Sequence, residues 1–117
     1  MSNFISDDLL MSFPGDDVSG NPLDVYKEFD PKVIGCFQNL QELVFSEGAL
    51  SQKFKVLVAM AIDIEHGALQ GATALGKRAI KLGATREEIV EAVRVAYYVG
   101  GNRALFTSAT VLQNLFK

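Results

Sequence analysis

The sequence of 117 residues holds one cysteine, Cys36, one histidine, His66, no tryptophan and only three prolines. A lone cysteine excludes an intrachain disulfide and any Cys-x-x-Cys redox pair. A lone histidine excludes a multi-histidine metal centre, and neither a metal nor another cofactor is expected. Positive charge is also scarce: 11 Lys and Arg face 14 Asp and Glu, for a formal net charge of −3. Nucleic acid, which requires a basic face, is therefore not an expected partner. Long apolar runs are missing as well. The longest spans 56–62, far short of the roughly 20 residues that a membrane-spanning helix needs. Asp7 and Asp8 stand where a signal peptide would carry its basic and apolar regions, so no signal peptide and a cytoplasmic setting are expected.

What is present fits one helical domain. With 49% apolar and 21% charged residues, a chain of this length can bury on the order of 65% of its extended surface without covalent staples. Residues 1–20 read as a weakly structured arm, because Phe13-Pro14-Gly15-Asp16-Asp17 and Ser19-Gly20-Asn21-Pro22 are both turn sequences. Helix signals then fill 21–117. Asp30-Pro31 pairs an N-cap residue with proline at the first helical position. Val33, Phe37, Leu40 and Val44 follow at helical spacing, and Gly48 ends the helix. Ser51 is placed to cap the next helix, whose segment 56–62 is apolar on every face and is predicted to be central and buried. A helix over about 67–82 follows, closed by Gly83.

Thr85-Arg86-Glu87-Glu88 is a capping box, and Ile89, Val93 and Ala96 form the stripe of its helix. Gly100-Gly101 breaks that helix, and Asn102 is placed to cap a last one carrying Leu105, Ala109, Leu112 and Phe116. No run alternates like a half-buried strand. The predicted fold is an all-α bundle of five to six helices with short connections.

The 67–82 helix has unusually little side chain. Three interior glycines, Gly67, Gly71 and Gly76, would cost about 3 kcal/mol relative to alanine. Close approach of a neighbouring helix would explain them; so would a cavity in which a ligand meets backbone.

The blocks Leu57-Val58-Ala59-Met60-Ala61, then 79–92 with its Gly83-Ala84-Thr85-Arg86-Glu87-Glu88-Ile89 core, then Tyr98-Val99-Gly100-Gly101 resemble the carboxymuconolactone decarboxylase and alkylhydroperoxidase D-like family. The resemblance covers about residues 30–115. It implies a compact helical bundle, trimers or hexamers, and either thiol peroxidase or cofactor-free decarboxylase chemistry. Peroxidase-type members carry Cys-x-x-Cys-x-x-x-His before the Gly-Ala-Thr turn. Counting back from Gly83 matches those positions to Ala68, Gly71 and Leu75, none of which supplies a thiol or an imidazole. Thiol chemistry needs a thiolate and a resolving partner, so that mechanism does not carry over. The decarboxylase-type histidine falls on the same Leu75. Cys36, flanked by Gly35 and Phe37, reads as a small buried hydrophobe.

The ionisable residues nearest these positions are Glu65 and His66. Neighbours on a helix point about 100° apart, but a helix break at His66-Gly67 would let both line one cavity mouth, as a general acid/base with an assisting carboxylate. Asp63 and Glu65, two apart, cannot clamp one ion. Lys77, Arg78 and Lys81 suit the dipole at their helix's C-terminal end. Two functions remain open. One is a homo-oligomeric binding or assembly module; the other is an acid/base enzyme that uses His66 and Glu65 on a small acidic or carbonyl ligand. The apolar helix at 56–62, the small-residue helix and a last helix apolar on several faces favour a homo-oligomer, a trimer or hexamer.

Overall fold

A computed structural model describes residues 22–117; the predicted N-terminal arm lies outside the described residues. A single 3-10 turn, Pro22–Val25, leads into α1 (Tyr26–Phe29) and α2 (Pro31–Phe45). Four more helices follow: α3 (Gln52–His66), α4 (Leu69–Lys81), α5 (Arg86–Gly100) and α6 (Asn102–Phe116). The all-α expectation holds. No helix among the described residues is long and apolar enough to cross a membrane.

Local chemistry starts and stops these helices. Ser51 Oγ accepts from the Phe54 N–H at 3.1 Å, and Glu47 accepts from the Gln52 N–H at 3.3 Å, so two N-terminal donors of α3 are met. Thr85 and Glu88 form the reciprocal capping box, each accepting from the other's backbone N–H. At the far end of α3, Gly67 adopts φ +78°. Its N–H reaches Ile64 O, and the Ala68 N–H reaches Asp63 O at 2.8 Å. This paired closure is a Schellman motif, which wants glycine at that position.

Several expectations shift. Gly67 lies between helices rather than inside one, so only Gly71 and Gly76 carry the helical glycine penalty. Asn102 is the first residue of α6, not its cap: Gly101, at φ +72°, takes the turn one residue earlier. The helix before Gly48 ends at Phe45, where the Lys55 ammonium donates to Ser46 O at 2.9 Å. Asp30 precedes Pro31 as predicted, but its side chain makes no capping bond.

The core is built from α3 outward. Val56, Leu57, Met60 and Ile64 are buried against Ala72 and Ala79 of α4, Ile89 and Ala96 of α5, and Ala104 and Val111 of α6. The alanines bring α4 close to α3. Gly76 performs the same service toward α6, since a Cβ there would lie 2.6 Å from Leu115 Cδ1. The side chains of α3 are not enclosed all round, as its apolar run suggested. Phe54, Val58 and Ile62, spaced four apart, keep roughly half their surface exposed along a groove beside α5. α2 stands off the bundle. Gln41 is its one fully buried residue, while Leu40 and Leu43 are 58% and 75% exposed. Cys36, predicted to be buried, is exposed on the same helix for the same reason. The radius of gyration, 14.3 Å, exceeds the roughly 13 Å of a compact domain near this size, as a projecting α2 requires.

Candidate functional site

The helical repeat places Phe37, Leu40, Gln41, Val44 and Phe45 on one face of α2. The same geometry aligns Gly71, Ala74 and Leu75 on α4. These two faces and Asp63 of α3 enclose a cavity of about 260 Å³. Its wall is apolar apart from Gln41 and Asp63. Gln41 is 5% exposed, and its side-chain oxygen is buried without a hydrogen-bond partner. Asp63 lies over the bare Cα of Gly71, where a Cβ would come to 2.5 Å from Oδ2. Burial pushes the Asp63 carboxyl above the ordinary carboxylate range, and the charge of His66 opposes the shift.

Of the three positions matched by resemblance to the thiol and histidine motif, Gly71 and Leu75 face this cavity and Ala68 is exposed outside it. Leu75 also packs against the core. The two explanations offered for the glycines therefore divide. Helix packing accounts for Gly76, whereas Gly71 meets a carboxylate at a cavity wall.

Glu65 and His66 do come together, as the predicted helix break allows. His66 Nε2 lies 3.5 Å from Glu65 Oε1, with the imidazole 66% exposed. Arg103 of α6 reaches across the break. Its Nη2 donates to Glu65 O at 2.7 Å and lies 3.7 Å from Glu65 Oε2. Glu65 marks one end of the α3/α5 groove, which has a volume of about 550 Å³. Lys53 and Glu88 bridge the other end at 3.1 Å. Between them the walls are Phe54, Leu57, Val58, Val95 and Val99. His66 itself is not part of that lining. Among the described residues no cluster of metal-ligating side chains forms. Of the cationic trio, Arg78 is buried, whereas Lys77 and Lys81 are exposed.

The model of the carboxymuconolactone decarboxylase family matches residues 31–114, the whole of the structure from α2 to near the end of α6. The chain belongs to that family. An uncharacterized protein of Methanocaldococcus jannaschii is 31% identical over 84 residues, 72% of this chain and 78% of its own length. The apo crystal structure of a carboxymuconolactone decarboxylase family protein from Legionella pneumophila is similar too, with a TM-score of 0.75 and 30% identity. That likeness covers 79% of this chain and 82% of the other. Family membership thus accounts for the bundle, and this chain's own residues set what its cavity and groove can do.

Gln41 was not singled out by sequence reasoning, and Asp63 was considered only as a partner of Glu65 and set aside. The signal for Asp63 was present: it is the first charge after an apolar run and stands eight residues before an unexplained glycine. Gln41 interrupts an apolar stripe, between Phe37 and Val44. Neither could be assigned to a common site without the packing of α2 on α3 and α4.

Proposed function

We propose that the chain is a homo-oligomeric binding or assembly module of the carboxymuconolactone decarboxylase family, a trimer or hexamer, that has given up thiol peroxidase chemistry. The observations that carry this reading are the uncovered apolar residues of α2 and, separately, the half-open α3/α5 groove. Large exposed apolar patches generally mark interfaces. Covering such a patch with a second copy recovers roughly 25 cal/mol per Å². At positions 68, 71 and 75 the chain offers a methyl group, a hydrogen and an isobutyl group; none can attack a peroxide bond. A hydroperoxide assay with a dithiol reductant should show the buffer rate, unchanged in Cys36→Ser. Turnover that disappears on that change alone would overturn the reading.

One arrangement favours a second reading, an acid/base enzyme. The Glu65 carboxylate is shared between the His66 imidazole and the Arg103 guanidinium at the end of the α3/α5 groove. An imidazole ionises near neutrality when unperturbed, and a guanidinium beside it suits an acidic or carbonyl substrate. Lactones, hydroperoxides and β-keto acids should be screened with wild type and His66→Asn side by side. An enzyme of this kind loses about 10²–10⁴ in kcat/KM, whereas equal rates in both proteins leave the assembly reading standing.

A further inference from the structure

The geometry points to the cavity beneath α2 as a binding site for small primary amines with a short apolar tail, the ammonium held by the Asp63 carboxylate and the Gln41 side-chain carbonyl. This inference rests on the reading that positions 71 and 75 no longer carry the family's thiol and imidazole chemistry.

Gln41 is the first support. It is the one fully buried residue of α2, and its side-chain oxygen has no hydrogen-bond partner. Buried acceptors are almost always paired, because leaving one unmet is costly. Asp63 supplies a second acceptor to the same cavity, and the missing Cβ of Gly71 makes the room it occupies. No lysine or arginine lines the cavity. The cavity wall therefore presents two acceptors and no lysine or arginine, and the complement of that arrangement is a charged donor. An ammonium offers three N–H groups and a positive charge.

The remaining wall specifies the other end of the ligand. Phe37, Leu40, Val44 and Leu75 can take only hydrocarbon. The volume of about 260 Å³ falls below the roughly 300–1,000 Å³ of pockets for drug-sized molecules, so the tail is short. Burial raises the Asp63 pKa although the charge of His66 opposes the shift. A bound ammonium would add a counter-charge inside the cavity itself, whose lining does not include His66.

Isothermal titration of the full-length protein with n-pentylamine, n-pentanol and valerate near neutral pH tests the assignment. The amine should bind saturably, with the alcohol and the acid at least about tenfold weaker, given the usual strength of a hydrogen bond to a charged group. Asp63→Asn, nearly the same in shape, should weaken the amine by about ten- to a hundredfold and leave the alcohol unchanged. Gln41→Met serves as the second variant and should weaken the amine by a smaller factor. Absence of saturable amine binding, equal affinity for amine and alcohol, or undiminished amine binding in both variants would overturn the proposal. Oligomer mass and peroxide turnover are read separately, so a failed amine titration leaves the assembly reading untouched, and a monomeric protein that still binds amine leaves this site standing.

Discussion

Asp63 and Glu88 are carboxylates whose surroundings push in opposite directions. Burial raises the Asp63 pKa. The Thr85 backbone N–H, then Lys53, lowers that of Glu88. A raised carboxyl favours the folded state below its unfolded pKa, and that contribution is lost as pH rises through the folded value. A depressed one contributes above its unfolded pKa and is lost as pH falls through the folded value. Asp63→Asn should accordingly raise the melting temperature near neutral pH and lose that advantage in acid. Glu88→Gln should lower it near neutral pH and converge with wild type in strong acid. Parallel thermal melts across that range check both signs, and a Asp63→Asn protein less stable than wild type near neutrality would contradict the account of Asp63. Glycines give a second pair at this scale. Gly67 sits at φ +78°, so Gly67→Ala should cost about 1–2 kcal/mol in denaturant unfolding. Gly35 lies inside α2 with open space around its missing Cβ, and Gly35→Ala should stabilise by about 0.5–1 kcal/mol.

Elements that depend on near neighbours in sequence were legible before the fold was known. The Ser51 cap and the Thr85/Glu88 box are three-residue relationships, and both form with bonds of 3.0–3.1 Å. Thr85→Ala should therefore destabilise the protein by about 1 kcal/mol, read as a lower denaturation midpoint at unchanged slope. Burial was less legible, because it depends on what comes to lie over an element. The run at 56–62 announced a helix enclosed all round, yet α5 leaves a groove along Phe54, Val58 and Ile62. The candidate site was less legible. Glu65 and His66 are sequence neighbours whose side chains lie 3.5 Å apart, but His66 does not share the lining of the groove that Glu65 borders. Asp63, Gln41 and Gly71 come from three helices and converge only through packing, which no spacing rule encodes. Gly76 shows the same limit, since its reason is Leu115, almost forty residues away in sequence.

At the scale of the whole molecule, α3 to α6 build the buried core and α2 lies at its edge. Helices α3 to α6 share the buried core, while α2 has a single fully buried residue, leaves Leu43 exposed, and leaves Leu40 and Val44 partly exposed at the edge of the cavity beneath it. A helix so placed gains its stability from tertiary packing rather than from propensity, and a second copy of the chain can supply that packing. Leu43→Glu, a change at an exposed position of this face, should leave the fold of α3 to α6 intact by circular dichroism yet lower the oligomer mass. The measurement that bears most directly on this account is the mass of the full-length protein by light scattering at micromolar concentration. The account predicts a stable species of three or six chain masses; a stable monomer at that concentration would contradict it.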